Sequence, residues 1–148
     1  MNLIFLFAAI ATGAAIAMQP GINSGLAKHL GSPFQASLIS FSTGAVVMLT
    51  ICLARGVFYP RISQFAGLNW WQIVGGGSLG ALYVTLALVL APKVGATLFV
   101  AAVVAGQMIG SLLLDHHGLL GFKEDLMNIP KLTGGIFVVL GVALIARS

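Results

Sequence analysis

The sequence predicts an all-α integral membrane protein with five transmembrane helices in a single membrane domain over residues 1–148. Three observations predict it. Hydrophobic residues make up 59% of the chain and charged residues 7%, against about a quarter charged in a soluble domain. Five runs approach the roughly 20 mostly apolar residues that a helix needs to cross a bilayer. Most connections are short, and nothing outside the runs resembles a soluble domain or a low-complexity tail.

The first helix is expected over residues 3–27, LIFLFAAIATGAAIA followed by MQPGINSGLA. Ala15-Ile16-Ala17 has the look of a cleavage site, but a signal peptide needs a basic leading region, and the first positive charge is Lys28. The segment is therefore read as a retained span. The second helix is expected over 34–54, after a short link from Lys28 to Pro33. The third covers 70–91, opened by Trp70-Trp71, an interfacial aromatic anchor at the end of the longer loop 55–69. The fourth covers 95–114, reached through Pro92-Lys93-Val94. The fifth covers 131–146. Before it, the 115–130 loop holds every acidic residue of the chain, Asp115, Glu124 and Asp125. The tight links make the helices they join antiparallel neighbours.

The net charge of +4 comes from seven scattered Lys and Arg with no basic stripe. These read as membrane anchors, and no nucleic-acid partner is expected. Cys52 is the only cysteine, so it reads as a small packing residue. Five helices put the termini on opposite sides. One side then carries Arg55, Arg61, Lys123 and Lys131, the other Lys28, Lys93 and Arg147. The positive-inside rule gives almost no decision on four against three. Insertion in both orientations is therefore expected. Two copies would form an inverted pair, an antiparallel ten-helix dimer with the symmetry that larger transporters build from inverted repeats.

Gly75-Gly76-Gly77-Ser78-Leu79-Gly80 matches the G-x-G-x-x-G dinucleotide pattern in form only. That fingerprint needs a preceding strand and an acid about 20 residues on, and no acid occurs before Asp115. Close helix packing is the better reading, as for Gly106-Gln107-Met108-Ile109-Gly110. Asp115-His116-His117 points its histidines to different faces, and His29 is the only other histidine. No metal site and no cofactor are expected, and without a nucleophile–base pair no enzymatic activity. The lack of any carboxylate inside a span argues against a proton-coupled exporter with a midplane acid. Asp115 remains a candidate proton-coupling group at the mouth of a pathway.

The polar residues within the spans are neutral and fall on faces. Thr12, Gln19 and Asn23 share one side of the first helix, beside Pro20 and Gly21, which can loosen that turn toward a cavity. Ser37, Ser40 and Gly44 share a face of the second. Trp71, Gly75, Ser78 and Thr85 share a face of the third, with Tyr83 nearby, and Gln107 and Ser111 share one of the fourth. The fifth has no polar side chain from Ile136 to Ala146, and its Gly134, Phe137 and Gly141 suit packing or a dimer interface. An amide is costly to bury in an apolar setting, so Gln19, Asn23 and Gln107 imply a wet or ligand-filled space. The candidate substrate-binding set is Gln19, Asn23, Trp71, Tyr83, Gln107 and Ser111, with Phe99 as a further aromatic wall.

MQPGINSGLAKHLGSP, SFSTG, Trp-Trp before GGGSLGALYV, APKVG, GQMIGSLLLDHHGLLG and GVALIARS together resemble the YdcZ-type family of the drug/metabolite transporter superfamily. The resemblance covers essentially the whole chain. It implies a bacterial cytoplasmic (inner) membrane protein acting as a dual-topology homodimer or with an oppositely oriented paralogue. The family motif falls on Gln19, Asn23, Gln107, Ser111, Asp115 and His116. The chain departs from the pattern at His117, where relatives often carry an aromatic. The expected function is alternating-access transport of a small amphipathic or polar metabolite or drug-like solute. Its partners would be a second, inverted copy and membrane lipid. The alternatives are a narrow channel on the same dimer, or one half of a heterodimeric transporter or accessory subunit.

Overall fold

The computed structural model describes residues 3–57 and 62–148. Arg61, one of the charges in the orientation count, lies outside the described residues. The regular elements among the described residues are all helices, with no strand. Four helices are long and apolar enough to cross a membrane: α1 (Leu3–Leu30), α2 (Pro33–Ala54), α3 (Trp70–Val94) and α4 (Ala96–His117). A shorter apolar helix, α5 (Ile129–Ile145), has 17 residues. At about 1.5 Å per residue it rises roughly 26 Å, a little less than the ~30 Å of a hydrocarbon core.

Local chemistry sets the helix ends. α1 runs without interruption through Pro20. Pro20 has no N–H to give the Ile16 carbonyl and its ring crowds that carbonyl, yet the turn stays helical. The looser turn expected there is thus one missing hydrogen bond within a continuous helix. α1 stops at Gly31, whose φ of +73° is a backbone state that L side chains avoid. The Ser32 hydroxyl caps α2, accepting from the Gln35 N–H at 3.3 Å. α3 likewise continues past Pro92, so Pro92-Lys93-Val94 is helix. Gly95, at φ +86°, is the one non-helical residue before α4. Gly118, at φ +59°, ends α4, and the Asn128 side chain starts α5 by accepting from the Lys131 N–H at 3.0 Å.

Two compact units divide the chain, one reaching to Leu90 and one from Ala91 on. In the first, α1 and α2 pack side by side. Ala36, Val84 and Leu88 form a small core there, joined by Leu26, Ala27, Leu30 and Tyr83. The Phe41 ring of α2 reaches α3 at Gly80, where a Cβ would stand 3.4 Å from it. In the second unit α4 packs on α5, with buried Gly135 against Leu112. Most large apolar side chains point outward, among them Phe5, Ile22, Leu79 and Leu144. That inversion of the soluble pattern suits lipid as the surrounding solvent.

Candidate functional site

In the first unit the neutral polar residues meet along a seam. Asn23 is only 6% exposed, and its Nδ2 donates to Ser40 Oγ on α2 at 3.1 Å. Three residues earlier on α2, buried Ser37 accepts from Thr85 Oγ1 of α3, also at 3.1 Å. Both bonds use the Ser37–Ser40 face of α2, so two hydroxyls one turn apart tie α2 to helices on either side. Such bonds contribute about 0.6 kcal/mol on average in membrane proteins, enough to fix register but little more. Among the described residues no buried side-chain polar atom lacks a partner.

Gln19 lies one turn before Asn23 and is partly buried. It opens onto a cleft of about 370 Å³ shared with Ser40, Phe41, Gly44, Ala45 and Met48. Ser40 therefore accepts from Asn23 on one side and borders the cleft on the other. Pro20, between the two amides, is buried. This part of α1 turns toward α2, which accounts for an amide, a proline and a second amide in the second half of an apolar helix. The cleft wall combines one amide, one hydroxyl, an aromatic ring and a thioether, with no charged group.

The aromatic candidates on α3 stand at different depths. Tyr83 is half-buried beside the Ala36–Val84–Leu88 core. Trp71, in the first turn of α3, is 44% exposed next to the more exposed Trp70. Twelve residues separate Trp71 from Tyr83, about 18 Å of helix rise. The two rings stand at separate levels of the helix.

In the second unit Gln107 sits mid-way along α4 and is exposed. Ser111 is exposed too, and its hydroxyl donates to the Met108 carbonyl of its own helix at 3.0 Å. Phe99 is buried. Asp115 is partly buried and borders a cleft with Phe122, Lys123, Glu124 and Asp125. The chain after α4 folds back onto that helix end: the Asp125 N–H donates to the Asp115 carbonyl at 2.8 Å, and the Met127 N–H donates to His116 Nδ1 at 3.2 Å. Lys131 pairs with Asp125 at 2.6 Å. Among the described residues no three His, Cys, Asp or Glu side chains gather as a metal would need.

Sequence periodicity grouped Gln19 with Asn23 and Ser37 with Ser40, but it could not say that Asn23 meets Ser40. Phe41 and Met48, as walls of the Gln19 cleft, carry no polar signal in the sequence. His116 holding a backbone N–H eleven residues on had no signal in the sequence either.

Residues 4–144 match the model of a protein family described as "Putative inner membrane exporter, YdcZ". Among curated proteins the chain is similar to the Inner membrane protein YdcZ of Escherichia coli (strain K12), 26% identical over 138 residues. The match covers 93% of this chain and 91% of that protein. No solved structure matches the chain.

Proposed function

The chain belongs to the YdcZ family and is a multi-pass inner membrane protein; from that premise we propose that it exports a small amphipathic or polar solute by alternating access. Four spans are given by α1 to α4, and α5 is taken as the fifth, since 17 residues lie at the short end of the spanning range. The observation that carries the reading is the uncharged seam on α1 and α2. There Asn23 is bound to Ser40 while Gln19 opens onto the adjoining cleft. A carrier of an uncharged or weakly charged solute needs polar groups to hold it within the membrane, and this cleft offers an amide, a hydroxyl and an aromatic face.

The working unit in this reading is an inverted homodimer. Gln107 supports it. An amide exposed on the middle of a spanning helix is costly against lipid, and a second copy would cover it. Inverted symmetry would then present each polar edge, Gln19–Asn23 and Gln107–Ser111, twice, and the pair would rock between two openings. Trp71, Tyr83 and Phe99 would contribute aromatic walls at their respective levels, and Asp115 would take up or release protons at the pathway mouth.

The test is flux from proteoliposomes holding the purified protein and a panel of radiolabelled neutral aromatic amides and weak organic bases. Saturable, exchangeable flux of at least one compound is expected. It should fall about tenfold or more in Gln19→Ala and Asn23→Ala, as loss of one well-placed polar contact gives. Unsaturable conductance indifferent to both substitutions would refute the carrier.

A further inference from the structure

Met127 belongs to two features at once. Its backbone N–H donates to His116 Nδ1 at 3.2 Å. Its side chain closes part of an apolar groove of about 350 Å³ between α4 and α5, which Leu112, Leu113, Leu132 and Val139 also line. The end of the groove is therefore set by where the His116 bond holds the chain.

An imidazole nitrogen that accepts a hydrogen bond carries no proton. The observed contact requires His116 to be neutral, with its proton on Nε2. Protonation at Nδ1 would set a second N–H against the Met127 N–H, donor facing donor, and the bond would be lost. The other ties of the returning segment are the Asp125 N–H on the Asp115 carbonyl and Lys131 Nζ on the Asp125 and Leu126 carbonyls, at 3.3 Å each. Lys131 also pairs with the Asp125 carboxylate. Histidine is the side chain whose charge ordinarily changes between about pH 5 and 8. The titratable groups around His116 are Asp115 and His117 on α4, Lys123, Glu124 and Asp125 on the returning segment, and Lys131 on α5. The His117 ring stands edge-on, with centroids 4.7 Å apart.

We propose that His116 is a proton-operated latch. Neutral, it holds residues 122–128 against the end of α4 and keeps Met127 in the groove wall. Protonated, it releases them and opens the groove toward the membrane surface. The device concerns the second unit alone and is independent of which solute is moved.

The experiment uses the full chain in lipid nanodiscs, in a Cys52→Ala background, with a nitroxide on Leu126→Cys, a position 60% exposed. The mobile fraction of the spin-label spectrum should rise about fivefold from pH 8 to pH 5, the ratio that losing one hydrogen bond of ordinary strength gives. In His116→Gln, which offers an acceptor that does not titrate, the pH dependence should vanish. In His117→Gln it should persist. His116→Ala should be mobile at both pH values. A parent spectrum unchanged by pH overturns the latch. So does a response that survives His116→Gln, or one that His117→Gln abolishes.

Discussion

Asn23 on α1 and Ser40 on α2 are joined by one hydrogen bond of 3.1 Å, and the same Ser40 borders the cleft onto which Gln19 opens. The contact that fixes the α1–α2 register is thus also part of a polar wall. Changes at Asn23 should register in two assays of different kinds.

The first prediction separates them. In a double-mutant cycle of Asn23→Ala and Ser40→Ala, the coupling should be about 0.6 kcal/mol and no more than roughly 1.7, read from unfolding in detergent. Flux should fall far more steeply than stability in Asn23→Ala. Equal losses in the two assays would make Asn23 a packing residue only.

Neighbouring glycines on α5 should behave differently. A Cβ on Gly135 would stand 3.3 Å from Leu112 Cδ1 and 3.8 Å from Met108 Cγ, while Gly134 has nothing within 4 Å. Gly135→Val should destabilise by about 1–3 kcal/mol through overpacking. Gly134→Ala should be neutral or stabilise by up to about 1 kcal/mol, the ordinary gain in a helix interior. Equal thermal midpoints for the two variants would contradict the α4–α5 packing described.

Orientation can be read from a single cysteine placed after Ser148 in a Cys52→Ala background. With so even a charge balance, an impermeant thiol reagent should label roughly half the population from outside intact cells, and all of it after permeabilisation. Labelling near all or none would fix one orientation and turn attention to an oppositely inserted paralogue.

Gly118 and Gly121 both have positive φ, +59° and +88°. Alanine at either position should cost about 1–2 kcal/mol for the left-handed backbone. Gly118→Ala should cost more. Its Cβ would stand 3.3 Å from Glu124 Cβ and 3.4 Å from the Glu124 backbone nitrogen, whereas Gly121 has open space. Thermal unfolding of the two variants side by side tests the order.

Helix content was legible in the sequence because apolar length alone carries it, and the polar faces were legible because they follow the helical period. Ends were less so. Lys28 and Pro92 look like stops, yet α1 and α3 continue past them to Leu30 and Val94. A charge near a helix end can reach the interface, and a proline late in a helix sacrifices a single bond. The residues that do stop the chain, Gly31, Gly95 and Gly118, act through positive φ, which a glycine permits but does not announce. At the candidate site, periodicity placed Gln19 and Asn23 on one edge. It could not select Ser40 as partner, because a face does not say which neighbour it meets. His116 was the hardest case, since its contact depends on how an irregular segment returns.

The two-residue link between α1 and α2, Gly31 and Ser32, also bears on how the chain is made. Asn23 and Ser40 are 17 positions apart, which a ribosome adding about 5–20 residues per second covers in roughly one to three seconds. The amide that would be stranded in lipid on an isolated α1 thus gains its hydroxyl almost as soon as it emerges. The helical pair can leave the insertion machinery already matched, before α3 has been translated.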